Sequence, residues 1–385
     1  MTYEKVSIAP CADYTPENVR AALIAALESI GGLDAVKAGT KVAIKANLVT
    51  LMRPERAATT HPTMLAELTR LLTERGAVVV VGDSPGGPYN AMYLKSVYAA
   101  TGLEEVKAAG GRLNDNFAES QADFPEAKQA KTFSYTSWLD DADIIINFAK
   151  LKTHGMMGMS AAVKNMFGAI PGTVKPEYHY RFPDGRDFAD MLIDLNEYFK
   201  PALHIIDAVI GMEGNGPTGG TPREIGCVLA GKNPYTLDLV AAKIIGFDIE
   251  GVPTLAAAFE RGYAPEKAED VPLALEGIER FAIDDYELME KLNSIEFLNK
   301  FAFSSKTLGK LLSLMLASVP RVNKAECVGC RKCEEICPAK AIVMRDKKPV
   351  IDRNKCIRCF CCQEFCPPAA MKHHRPLVAR MLNKM

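Results

Sequence analysis

Cysteine is scarce over most of this chain: of eleven in 385 residues, only Cys11 and Cys227 lie before residue 327. A disulfide framework spread through the fold is therefore excluded, and the crowding of the other nine between Cys327 and Cys366 favours metal. No window approaches about 18 uncharged apolar residues, and "MTYEKVSIAPCADYTPENV" lacks a basic stretch followed by an apolar run. Neither a membrane span nor export is expected, and a cytoplasmic location is. No flavin or nicotinamide fingerprint is read from the sequence, and Ser84 has neither a G-x-S-x-G elbow nor a recognisable triad.

What is present suits a globular body with an appendage. The formal charge of −1 divides unevenly, with a net +9 over residues 321–385 and −10 over residues 1–320. The body reads as alternating strands and helices. "KVSIAPC" precedes the helical "TPENVRAALIAALESIG", in which Thr15 and Pro16 suit a cap and a first helical position. Continuous Val/Ile runs at 41–49, 77–87, 141–154, 202–211 and 224–231 alternate with helical patterns at 62–75, 161–167, 188–199 and 236–246. Such runs predict parallel strands buried on both faces. The expected class is α/β over residues 1–296: a largely parallel, helix-covered sheet, as one unit or in two lobes. An amphipathic bridging helix is expected at 297–320, packed on the body or, being rich in Leu, Met and Phe, on a membrane surface, and then comes the tail from 321 to 385.

Each half of the tail carries C-x2-C-x2-C-x3-C-P, and the halves repeat at 29 residues, from Cys327 to Cys356. Zinc sites use paired knuckles, whereas three cysteines at three-residue steps wrap one corner of an iron–sulfur cube and the fourth reaches the other cluster. Two [4Fe-4S] clusters are expected. Cluster 1 takes Cys327, Cys330, Cys333 and Cys366; cluster 2 takes Cys356, Cys359, Cys362 and Cys337. Cys361 lies outside the pattern and reads as a small buried side chain. The stretch 322–372 resembles a bacterial-type two-cluster ferredoxin, an α+β module. With both clusters bound the tail would carry about +5 on formal counting, which suits an acidic electron carrier such as a ferredoxin or flavodoxin. Nucleic acid is not expected, since no stacking pattern accompanies the lysines.

In the body, "KANLV" puts Lys45 and Asn47 at the carboxyl edge of a strand, where α/β sheets bind ligands. His61 stands before a helix start. The turn Gly82-Asp83-Ser84-Pro85-Gly86-Gly87 can cradle an anion on backbone N–H groups, and it matches neither nucleotide-binding glycine pattern. The richest segment is "NFAKLKTHGMMGMSAAVKNMFGAIPG", in which Lys150, Lys152, His154, Lys164 and Asn165 gather among glycines inside an acidic body. This composition points to a site for carboxylate or phosphate. Glu213, Asn215 and the loop "GMEGNGPTGG" follow another strand end, and His179 reads either as an approach to the site or as one of a loop's aromatic cluster.

"IKANLV", the "HP" before a helix, "VVVGDSPGG", "FAKLKTH", "AVKNMFG" and "PYTLDLVAAKIIG" together resemble the family catalogued as domain of unknown function 362, over roughly residues 5–250. The resemblance implies an appended two-cluster ferredoxin module, common in members, and no assigned activity. The sequence therefore favours an iron–sulfur oxidoreductase of anaerobic chemistry acting on an anionic small molecule. Lys45, Asn47, His61, Ser84, Gly86, Lys150, Asn165 and Glu213 would bind the substrate, while Lys152, Lys164, His154 and Asp83 would be catalytic, with His154 the proton donor. A non-enzymatic electron carrier or adaptor, and a non-redox enzyme with redox-sensing clusters, are the alternatives. A homo-oligomer is compatible with either.

Overall fold

The structure is a computed structural model that describes residues 3–288 and 318–374. In the body the strands are β1 (Val6–Pro10), β2 (Lys41–Lys45), β3 (Val78–Gly82), β4 (Arg112–Leu113), β5 (Glu119–Asp123), β6 (Thr132–Thr136), β7 (Ile144–His154), β8 (Gly158–Ser160), β9 (Leu203–Glu213), β10 (Thr221–Gly231) and β11 (Leu273–Leu275). The helices are α1 (Pro16–Glu28), α2 (Pro62–Thr73), α3 (Ala91–Ala100), α4 (Glu104–Ala108), α5 (Ala162–Asn165), α6 (Lys175–Arg181), α7 (Gly185–Phe199), α8 (Pro234–Ile244) and α9 (Pro253–Glu260). Proline opens α1, α2 and α8, where its missing N–H costs nothing. The Asn233 side chain caps α8 by accepting from the backbone N–H of Tyr235 and Thr236.

Nine of these strands form one mixed sheet in the order β11-β1-β10-β9-β7-β2-β3-β4, with β8 folded back onto β7. β5 and β6 pair with each other, antiparallel, in a separate two-stranded sheet. The run β9-β7-β2-β3-β4 is parallel, but β10 is antiparallel to both neighbours. Only residues 214–220 separate β9 from β10. That is too short for the crossover a parallel pair needs, so the two must form a hairpin.

Alternation along β7 shows how both faces are covered. Ile146 and Phe148 pack with α1, α2 and α3, whereas Ala149 and Leu151 pack with α8. All four are buried, so each face contributes to the core. The expected bridging helix lies outside the described residues except at its end, where Val319 and Pro320 open a strand.

The tail has strands β12 (Val319–Val322), β13 (Ile342–Arg345), β14 (Lys348–Ile351) and β15 (Met371–His374), and short helices α10 (Lys332–Glu335) and α11 (Cys361–Glu364). β12 pairs with β15 and β13 with β14, both antiparallel.

Candidate functional site

Three neighbouring parallel strands end together. Lys45 closes β2, Asp83 follows β3, and Lys150, Lys152 and His154 finish β7. Lys45 Nζ lies 2.5 Å from Asp83 Oδ1, with both side chains buried. The Asp83 carboxylate also accepts the Leu48 and Ser84 N–H groups, each at 2.8 Å. Burial lowers the Lys45 amine while the Asp83 charge opposes that shift. Gly168 closes over the pair, and a Cβ there would strike both side chains. These two residues form the floor of the site.

Lys152 is placed differently. Its Nζ donates to Asn47 Oδ1 and to the Ala58 carbonyl, each at 2.5 Å. Among the described residues no carboxylate forms an ion pair with it. Burial drives this amine well below its usual value, and the charge of Lys164 adds to the effect. Asn47 is held by Asn165 (2.8 Å), Asn165 by Asn147 (2.7 Å), and Asn147 meets His204 Nδ1 at 3.0 Å. A relay of amides thus fixes Lys152 from the core outwards.

Lys164 rides on α5, whose first two N–H groups, Ala162 and Val163, donate to Asp238 of α8. Asp238 therefore caps a neighbouring helix rather than its own. His154 Nδ1 accepts from Met156 N and Met157 N, both at 3.2 Å. The neutral ring accordingly carries its proton on Nε2, which points into the site. Burial, helped by Lys164, lowers the His154 pKa to about 4.

Lys175, at the start of α6, is not among the residues the sequence singles out. Its Nζ donates to the Ser84 carbonyl, and burial lowers it to about 8. With Asn47, Ser84, Gly86, Lys152 and Lys164 it lines a pocket with a free volume of about 40 Å³, room for about three waters. Ser84 Oγ and His154 Nε2 have no hydrogen-bond partner among the described residues. His179 is buried, stacked on Phe188 at 4.4 Å, with its Nδ1 likewise unpartnered among the described residues.

Four expected ligand-binding residues do not line this pocket, the first being Lys45, which is held beneath it by Asp83. Lys150 is consumed by Asp207 (2.9 Å) and Tyr14 (2.7 Å). His61 caps α2, donates its N–H to Asp207 and stacks on Tyr14 at 3.7 Å. Glu213 accepts from Glu287 N and faces Arg223 at 3.9 Å. A groove of about 700 Å³ lined by Lys41, Val78, Arg112, Asn114 and Trp138 is larger, but it runs along the β2-β3-β4 edge of the sheet and shares no residue with the lysine pocket. The buried, unpaired cationic chemistry is at the carboxyl edge.

One wall of the pocket comes from the tail. Glu364, the last residue of α11 and one-fifth exposed, directs Oε2 to 3.8 Å from His154 Nε2. Burial alone would raise this acid; the charge of Lys164, followed by the contact with His154, overrides it and holds the carboxylate far below its usual range. Gln363 Nε2 donates to Asn215 Oδ1 (2.8 Å) and Gly216 O (3.0 Å), and Thr218 Oγ1 donates to Glu364 O (3.3 Å). The Phe365 ring fills the space that a Gly86 side chain would need. The loop after β9 is thus the tail's socket. Gly214 to Gly219 has G-x-G-x-x-G spacing, but strand β10 follows it where a dinucleotide turn needs a helix.

Within the tail, Cys327, Cys330, Cys333 and Cys366 line one small cavity, with Met344, Pro349 and Met371 among its apolar walls. Cys337, Cys356, Cys359 and Cys362 line another, together with Cys361 and Phe360. Ala341 N donates to Cys337 Sγ at 3.2 Å. Thiol donors in apolar walls, with a backbone N–H aimed at sulfur, fit an iron–sulfur group. The first cavity includes exposed Cys330, whereas Cys337, Cys359 and Cys362 of the second are buried.

Fold and site together define a mostly parallel mixed α/β body with an iron–sulfur, ferredoxin-like tail seated on its cationic pocket. The chain belongs to the family described as domain of unknown function DUF362, whose model matches residues 42–243, and a 4Fe-4S dicluster domain matches residues 319–367. It is 33% identical over 302 residues to a thylakoid-associated protein of Synechocystis sp., covering 76% of this chain and 90% of that protein. Among solved structures it is similar to the lactate racemase apoprotein of Thermoanaerobacterium thermosaccharolyticum, with a TM-score of 0.42 and 12% identity over 63% of this chain and 57% of that one. A Thermotoga maritima protein gives a TM-score of 0.34 and 14% identity, over 54% and 53% of the two chains. Among the described residues no helix is long and apolar enough to cross a membrane.

Proposed function

We propose that this protein is an iron–sulfur oxidoreductase whose tail passes electrons to a small anionic substrate in the pocket of Lys152, Lys164 and Lys175. The observation that carries this reading is Glu364. It lies between Cys362 and Cys366 in sequence, yet its carboxylate stands in the body's cationic pocket. Two [4Fe-4S] clusters held by the two cysteine quartets would supply single electrons at low potential.

The chain's own residues have distinct tasks. Lys164 supplies positive charge that no ion pair from the surrounding body neutralises, Lys152 supplies a buried amine whose charging an incoming anion would favour, and Asn47 and Asn165 fix Lys152 in place. Ser84 Oγ and His154 Nε2–H offer hydrogen bonds to the ligand. Held neutral, His154 suits donating a hydrogen bond better than surrendering a proton. Lys175, lowered to about 8, is the better proton source near neutral pH. The exposed first half of the tail, with Arg331 and Lys332 beside Cys330, would receive electrons from an acidic carrier. The proposal places the protein in the cytoplasm.

The test is reconstitution without oxygen, followed by iron counting and reoxidation. About eight irons per chain are expected for two clusters. The reduced protein should be reoxidised by the low-mass filtrate of a cell extract. Reoxidation by the macromolecular fraction alone would make the protein a carrier or adaptor.

A further inference from the structure

With Glu364 in place the pocket has room for about three waters, too little for an organic acid together with its hydration. Yet it is built for an anion: Lys152 has no carboxylate ion-pair partner among the described residues, and Ser84 Oγ and His154 Nε2 are buried and unpartnered. The anion actually present is the chain's own. The Glu364 carboxylate faces His154 and shares the pocket lining with Lys152, Lys164 and Lys175.

The counterpart of Glu364 at the 29-residue repeat is Glu335, an exposed residue at the end of α10. A glutamate at this position therefore does not require such a pocket. Only in the second half does the flanking sequence change to Phe360, Gln363 and Phe365, the residues that lay α11 against Gly155, Asn215 and Gly86.

Resting on the reading of the pocket as an anion site, we infer that Glu364 occupies the seat of the substrate's acid group. The ligand is then a compound with a small terminal acid group, carboxylate or phosphate, that displaces the Glu364 side chain and loosens the end of α11 while Phe360, Gln363 and Phe365 keep the tail docked. The side chain is a stand-in that keeps the lysines neutralised and water scarce until the ligand arrives.

The experiment uses the full-length, cluster-loaded protein, with inorganic phosphate and acetate as probes in calorimetry and amide exchange followed over residues 360–366. Glu364→Gln should bind phosphate about tenfold more tightly than wild type, because the competing anion is gone, and acetate should follow the same order. In the wild type, which needs no folding control, saturating phosphate should accelerate exchange in α11. Equal or weaker binding by Glu364→Gln, with iron content intact, overturns the inference, and so does α11 exchange that phosphate leaves unchanged. If neither protein binds either probe, the anion pocket itself is wrong, and the proposed function falls with it.

Discussion

At the residue scale, lysines of similar burial have different work. Lys45 and Lys150 are each matched to an aspartate, and they are part of the fold. Lys152, Lys164 and Lys175 face the pocket, and they are the chemistry. Asp83→Ala should therefore destabilise the body by about 3–5 kcal/mol, since it strands a buried amine. Lys164→Met should shift the urea midpoint little while abolishing anion binding. His204 shares the pH dependence with His61, His154 and His179, which burial lowers as well; its own pKa falls to about 3, well below its unfolded value. Its stabilising contribution is thus complete above about pH 6.5 and is lost as pH falls towards 3, by up to ~1.4 kcal/mol per pH unit. Urea midpoints between pH 7 and 4.5 should show this slope, and His204→Asn should reduce it by about one proton's share. Lys152, His154 and Lys164 were legible in the sequence because they crowd one glycine-rich segment. Lys150 and His61 looked equivalent, and nothing local reveals that Asp207, far along the chain, engages both. Lys175 carries no signal either, since it stands alone before a proline and gains its meaning only where α6 approaches the Ser84 turn.

At the element scale, the strand and helix pattern of the body followed from Val/Ile runs and Pro starts, and β2 and β3 end within a few residues of the expected turns. The sense of β10 did not follow, because it depends on a loop too short for a crossover. The docked face of the tail was present in the repeat but unread: the change from Arg331 and Glu334 to Phe360 and Gln363 marks which half is covered. Gln363 makes three donated contacts to the loop after β9. Gln363→Ala should therefore loosen α11, with amide exchange over residues 360–366 rising several-fold while Cys-ligand content stays unchanged. An unaltered exchange rate would mean that Phe365 and Thr218 suffice to hold the tail.

At the scale of the whole molecule, a basic tail meets an acidic body through its less charged half, leaving the exposed half of α10 to partners. The rate at which an acidic carrier reduces the protein should fall as ionic strength rises past about 0.1 M, where the Debye length is near 10 Å. Arg331→Glu with Lys332→Glu should remove most of that salt dependence, while reduction by a neutral dye is unaffected. The central claim is that α11 against the pocket is the route between tail and substrate. Gly86→Leu tests it most directly, since a side chain there must push Phe365 away without touching any cysteine. With iron content and dye reduction matched to wild type, the account predicts that reoxidation by the low-mass filtrate slows by about a hundredfold. An unchanged reoxidation rate would contradict it.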